Sequence, residues 1–385
     1  MDRREFLTAI GGAAAIAGMP QFALAGAPGR YDNLLVLVEL KGGNDGLNTV
    51  VPYADMEYYS LRPRIAIARD QVLQLDASSG LHPSLQPLMT LWQNHELAVV
   101  QSVGYPGANL SHFRSIEIWD TASKSSEYLH DGWLARAFAD SPVPKSYAAD
   151  GVVVGSSEMG PLAGGSTRAL ALSNTEQFLR QSRLASTEGT SRNPALNHLL
   201  KVERDVKQAA STLNVNYTLR AEFPNHQFGN AMKTAAQVIA SRAGVAAVKI
   251  SHNGFDTHSN QQGTQERLLK ELAEGLIAMR NAMQEVGRWD STLMMTYCEF
   301  GRRPKENQSA GTDHGTANAH FVLGGRVKGG LYGPPPALSR LDGNGNLPFG
   351  VDFRDLYSTA LDRWWGVNSV VALNGRFAPV DLIRA

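Results

Sequence analysis

Three apolar runs in this chain each end on an acidic residue in a turn. Residues 33–40 (NLLVLVEL) run into Lys41, Gly42, Gly43, Asn44 and Asp45. Residues 246–251 run into Gly254, Phe255 and Asp256, and residues 291–298 run straight into Glu299. A short run that is apolar at nearly every position reads as a strand buried on both faces of a parallel sheet. In such sheets ligands bind outside the carboxyl ends of the strands. Three acidic residues delivered to that edge constrain both the fold and the place where chemistry could occur.

The segments between the runs are helical or looped. Residues 85–92 read as a helix capped by Ser84, with Pro87 tolerated in its first turn. Residues 96–103 read as a further buried strand, and residues 151–155 carry a short Val run. Ser111 opens a helix that reaches Trp119. Leu268, Leu272, Leu276, Met279, Met283 and Val286 recur at three- and four-residue steps, which makes the apolar stripe of a long helix facing the core. Residues 321–323 read as a short strand and residues 355–365 as a closing amphipathic helix. Strands alternating with helices give an α/β fold on a mostly parallel sheet. Residues 175–242 are polar and mostly helical, and are expected to form a helical cap inserted into a single domain spanning 26–385.

Ahead of that domain, residues 1–25 have the grammar of an export signal. Arg3 and Arg4 precede Phe6 and Leu7, an uncharged Gly/Ala-rich stretch follows, and Ala23-Leu24-Ala25 offers a small-x-small cleavage pattern. The Arg pair marks the twin-arginine form. The competing reading is an N-terminal membrane anchor, but the apolar stretch is short for a span. The expected partner is therefore the twin-arginine translocase, and the expected location periplasmic or secreted, with no stable membrane span. Cleavage removes Asp2, Arg3, Arg4 and Glu5 together, so the formal net charge of zero survives it. Neutral overall charge argues against nucleic acid as a partner. The lone thiol, Cys298, excludes an intrachain disulfide and a Cys-rich metal cluster.

Carboxylates and imidazoles remain as metal donors. Asp256 and His258 stand two residues apart in one turn, and Asp313 and His314 form a second pair in a Gly loop. His252 and His320 fall in the same stretch of chain. Such donors suit zinc, manganese or iron, and an oxygen-rich subset suits calcium or magnesium. The alternative for any one Asp in a Gly-rich turn is a helix cap or an Asx turn. Ser111 is the candidate nucleophile, because a helix start presents free N–H groups to a bound anion. It is equally readable as a helix N-cap, and His112 as an acid/base or a packed neighbour. Arg302, Arg303, Lys305 and Lys41 are candidates for neutralising an anionic group, or simply solvated. The sequence lacks Gly-x-Ser-x-Gly around Ser111, a Walker A motif and the dinucleotide Gly spacing, so a nucleotide cofactor is not expected.

The set GGNDGLNTVVP (42–52), LSHFRS (110–115), GFDTH (254–258), CEFGR (298–302), GTDHGT (311–316) and VKGGLYG (327–333) resembles the bacterial family known as domain of unknown function 1501. That family is similar to the alkaline phosphatase and sulfatase superfamily. The resemblance implies an alkaline phosphatase-like three-layer sandwich with a central, mostly parallel sheet and a helical insertion. It implies one or two divalent ions (zinc, manganese or calcium) and a nucleophile at a helix start. By motif, Asp45 resembles the first-strand metal ligand, Ser111 the nucleophile, Asp256 and His258 two ligands of one metal, and His314 its later His ligand. Glu299 falls where the superfamily has an Asp-His pair. With Phe300 following it, one imidazole of a second metal site is missing, so that site is weakened, takes a harder ion or is absent.

The implied function is an exported metal-dependent hydrolase of phosphate or sulfate esters, with Ser111 and His112 as catalytic residues and Asp45, Asp256, His258, Glu299 and His314 as metal ligands. The alternative is a non-catalytic periplasmic binding or assembly protein on the same fold. A third possibility is a glycan-modifying enzyme, in which Tyr105, Trp119 and Trp133 would stack on sugar.

Overall fold

The apolar runs become adjacent strands at the centre of one sheet. The computed structural model describes residues 29–172 and 217–384, together with positions 193, 196, 197, 200 and 207. The expected signal segment, 1–25, lies outside the described residues, as does the expected cap from 175 to 216 apart from those five positions.

Among the described residues the central sheet has nine strands. They are β1 (Leu34–Lys41), β2 (Leu97–Gly104), β3 (Ala149–Val154), β4 (Ala169–Leu172), β5 (Val245–Asn253), β6 (Thr292–Tyr297), β7 (Asn318–Leu323), β8 (Gly330–Tyr332) and β9 (Val351–Asp352). The spatial order is β8-β2-β7-β6-β1-β5-β3-β4, with β9 pairing β2 beside it. β7 runs antiparallel to both neighbours. The other pairings are parallel. The sheet is therefore mixed but mostly parallel, and β1, β5 and β6 lie side by side with their carboxyl ends on one edge.

Helices cover both faces, which is why β1 is apolar at almost every position. They are α1 (His112–Thr121), α2 (Trp133–Asp140), α3 (Gln227–Ala240), α4 (Gln261–Glu285) and α5 (Phe353–Ser358). Side chains alternate across a strand. Leu34, Val36, Val38 and Leu40 pack on one face with Met232 of α3 and Leu272 and Met279 of α4. Leu35 and Leu37 pack on the other with Trp119 of α1, Trp133 of α2 and Leu356 of α5. The expected Leu/Met stripe is buried along α4, and the end of the expected cap is core, since α3 buries Met232, Ala235, Ala236 and Ile239.

Two expected helices differ in detail. Residues 85–92 are a 3-10 turn (Pro83–Leu88) capped by His82 and followed by a short α-helix (Met89–Gln93). Pro87 has no N–H to donate, which disfavours a continuous α-helix there. The closing segment starts as α5 and widens into a π-helical turn, Thr359–Trp365. The expected short strand at 321–323 is the end of β7. Among the described residues no helix is long and apolar enough to cross a membrane.

Candidate metal centre and adjoining cavity

The loops after β1, β5 and β6 meet tightly, and glycine makes this possible. Gly42 and Gly43 have φ of +118° and +78°. A Cβ on Gly42 would lie 2.4 Å from the Asp256 backbone N, and one on Gly43 2.4 Å from the Phe300 ring. The GGND turn therefore packs directly between the other two loops.

His112, Asp256 and His314 converge, each placing one potential ligand atom within 4.8 Å of the others. His112 opens α1, Asp256 follows β5, and His314 ends a short ribbon made of Arg302–Glu306 and Thr312–His314. Asp256 Oδ2 is 3.3 Å from His112 Nε2, and Asp256 Oδ1 is 3.2 Å from His314 Nε2. His258 Nε2 lies 3.0 Å from both Asp256 Oδ1 and His314 Nε2.

The outer nitrogens orient the rings. His112 Nδ1 lies 2.9 Å from Glu299 Oε1, and His314 Nδ1 lies 2.8 Å from the Leu110 carbonyl oxygen. With Nδ1–H donating outward to these acceptors, a neutral ring at either position turns its Nε2 lone pair toward the gap. This is the usual arrangement behind a metal-binding imidazole. The Phe300 ring packs against both rings, at centroid distances of 4.9 and 4.3 Å.

The two rings shift in opposite directions. Burial lowers the His314 pKa and outweighs its hydrogen bonds, which favours the neutral ring. The Glu299 hydrogen bond raises that of His112 against burial. Burial alone would raise the Asp256 carboxyl, but the hydrogen bond and charge of Arg302 win and hold it at about 2. Arg302 Nη2 is 2.6 Å from Asp256 Oδ1. Its guanidinium is buried, donating also to the carbonyls of Gly42, Gly43, Phe255 and Thr312.

The donor set fits a divalent cation. Zinc bonds of about 2.0–2.1 Å in a tetrahedral site put neighbouring donors about 3.3 Å apart. His258 Nε2, His314 Nε2 and Asp256 Oδ1 are separated by 3.0–3.2 Å, close to that edge length, and His112 Nε2 meets the other Asp256 oxygen at 3.3 Å.

The other expected ligands are placed differently. Asp45 is buried outside this cluster. Its oxygens meet Arg62 at 2.6 and 3.0 Å and Gln261 at 2.5 Å, and it caps the short helix Gly46–Thr49. Glu299 stands behind His112, where Oε1 also accepts from the Gly42 N–H at 2.8 Å. Ser111 occupies the N-cap position of α1, exposed, with no capping bond from its side chain. His252 and His320 are buried elsewhere, with burial lowering them to about 4 and about 3. Tyr105, Trp119 and Trp133 are buried in the core, which removes them as sugar-stacking platforms. Cys298 is also fully buried, and burial raises its thiol pKa.

A cavity of about 850 Å³ opens beside the cluster, with His112, Asp256 and Glu299 on its rim. Glu39 lines it and meets Lys249, and the sequence did not single out either residue. Glu39 and Lys249, inside the apolar runs of β1 and β5, form a buried ion pair of 2.9 Å. The available signal was a charged residue in a strand that is otherwise apolar.

The profile of the family described as "Protein of unknown function (DUF1501)" matches residues 66–373. The chain belongs to the DUF1501 family. Among curated proteins, none matches this family member in sequence. Solved structures to which it is similar include a protein in the alkaline phosphatase superfamily from Vibrio parahaemolyticus, with 10% identity and a TM-score of 0.42 over 98% of this chain and 78% of that one. A sulfatase from Pseudoalteromonas sp. has 11% identity and a TM-score of 0.41 over 91% of this chain and 70% of that one. A lipoteichoic acid synthase from Listeria monocytogenes has 9% identity and a TM-score of 0.35 over 79% of this chain and 66% of that one.

Proposed function

We propose that this protein is an exported, metal-dependent hydrolase of phosphate or sulfate esters. One observation carries the proposal: three imidazole and carboxylate donors from separate loops face one gap, each imidazole with its outer nitrogen already bonded. The nitrogen-rich set favours zinc or manganese over calcium. His112, Asp256 and His314 would hold the ion, with His258 as a further donor. A divalent ion there polarises an ester oxygen and stabilises negative charge on the group being transferred.

The chain's own residues have the remaining roles. Glu299 and the Leu110 carbonyl keep the two rings oriented. The free N–H groups at the start of α1 favour an anion beside Ser111. The Ser111 oxygen forms the new bond to phosphorus or sulfur. The ester oxygen leaves as the alcohol and ends with the serine proton. Water then releases phosphate or sulfate and restores the hydroxyl.

The test is metal analysis of natively exported protein together with turnover of aryl phosphates and aryl sulfates. Ser111→Ala is expected to keep the metal and lose turnover. Turnover that survives Ser111→Ala removes the nucleophile assignment, and protein without metal removes the whole proposal. A second reading, a non-catalytic binding or assembly protein, is favoured by Phe300, which stands beside Glu299 where a second metal site would need an imidazole. It predicts that metal raises the melting temperature while neither ester is hydrolysed.

A further inference from the structure

The cavity beside the metal-donor cluster is bordered by charges that the cluster does not use. Glu39 continues the face of Leu35 and Leu37, beside Ser251 on β5 and Tyr297 on β6. Lys249 lies on that face next to Leu37. Asp120, eight residues after His112 on α1, lies about 12 Å farther along the helix axis. Its Oδ1 accepts from the Tyr297 hydroxyl at 3.3 Å. Gly160 closes over these charges, where a Cβ would sit 3.0 Å from Asp120 Oδ1 and 3.1 Å from Lys249 Cε.

Two lysines meet the three carboxylates Glu39, Glu158 and Asp120 around this cavity, which leaves one of the three without a cation. Glu39 pairs with Lys249 at 2.9 Å, and Glu158 pairs with Lys41 at 2.6 Å. Asp120 has no ion-pair partner among the described residues. Glu39 uses only one carboxylate oxygen, bonded to Lys249 and Ser251. Its other oxygen is buried with no hydrogen-bond partner among the described residues, and the same holds for Glu299 Oε2 at the rim. Glu39, Asp120, Glu158 and Glu299 all line the cavity. Phe113, Ile116 and Leu129 add apolar lining to the same cavity. Of these lining residues Phe113 is 89% exposed.

We propose that this cavity binds a small molecule with an ammonium group on an apolar carrier, the ammonium serving as the missing cation beside Asp120 and Glu39. The carrier would lie against Phe113, Ile116 and Leu129. A neutral polyol could satisfy the acceptors but would not supply the charge. Asp120 responds to the deficit in the free protein. Burial first, with the charges of Glu39 and Glu158 adding to it against Lys249 and the Tyr297 bond, raises its carboxyl to about 8. Tyr357 of α5, itself raised by burial, is a further titratable neighbour, and Lys41, Glu117 and His130 line the same cavity. Below about pH 8 an incoming ammonium must displace the Asp120 proton, so its affinity should rise as pH approaches 8 and then level off.

The inference does not depend on ester hydrolysis or on a bound metal, because the test is done in EDTA. Phenethylamine and phenethyl alcohol, alike in shape, are titrated calorimetrically into the full chain. The amine is expected to bind about 10- to 100-fold more tightly, which is the worth of hydrogen bonding to a charged group. Asp120→Asn, which resembles the protonated form, should erase the preference and the pH dependence. Equal affinity for amine and alcohol, amine binding abolished by EDTA, or a preference unchanged in Asp120→Asn would each overturn the proposal. If that variant does not fold, the amine-to-alcohol ratio and its pH slope in the unaltered protein decide.

Discussion

Two charged regions share the carboxyl edge of the sheet, and their surroundings differ sharply. The metal-donor cluster is built on loops. Its central carboxylate and His258 each leave 45% of the side chain exposed. The charged layer beside it is built on strands, and the Glu39 and Lys249 side chains are each 1% exposed. Loops after strands can offer groups to a ligand because water reaches them. A strand buried on both faces can carry a charge only if a partner meets it inside the protein. Access is therefore kept at the rim, and beneath it charges are balanced at short range.

The largest expected effect comes from unbalancing the buried layer. Lys249→Met leaves Glu39 as an uncompensated buried charge and should cost about 3–5 kcal/mol of stability. The double variant Glu39→Leu/Lys249→Met removes both charges and should recover most of that loss. Denaturant unfolding of the single and double variants checks this. A single-variant cost below about 1 kcal/mol, the range of exposed pairs, would mean that the layer is effectively solvated.

Next in size is an effect on the rim. Glu299→Ala removes the acceptor that orients His112. If Glu299 acts behind the imidazole, metal affinity should fall about 10- to 100-fold. Glu299→Gln keeps an oxygen acceptor and should lose less. Competitive zinc titration of the two variants measures both effects. Equal losses for Ala and Gln would argue that the carboxylate charge matters more than the hydrogen bond to His112.

The same contrast accounts for what could be read from the sequence. The strands were legible because burial on both faces makes them continuously apolar, as in residues 33–40. Asp256, His258 and His314 were visible as Asp-His pairs in irregular turns, where such side chains rarely serve the core. Asp45 followed the same strand-then-acid pattern but meets Arg62, and nothing local distinguishes an ion pair from a ligand. The place of Glu299 behind His112 depends on a contact across 187 positions of chain. Glu39 and Lys249 were absorbed into apolar runs, because the register that pairs β1 with β5 is a property of the folded sheet.

The smallest effect tests the comparison most closely, because it uses the same chemistry two residues along the same strand. Lys41, at the end of β1, pairs with Glu158 at 2.6 Å, a shorter contact than that between Lys249 and Glu39. Distance alone would rank it stronger. Exposure reverses the order, since the two side chains are 40% and 59% exposed and water already solvates both charges. Lys41→Met should therefore cost no more than about 1 kcal/mol. Added salt should shrink even that difference, because exposed pairs are screened, while leaving the penalty of Lys249→Met nearly unchanged. Unfolding curves for the two variants at low and high salt make the comparison. A Lys41→Met penalty as large as that of Lys249→Met, and equally insensitive to salt, would mean that the cavity mouth is as dry as its floor.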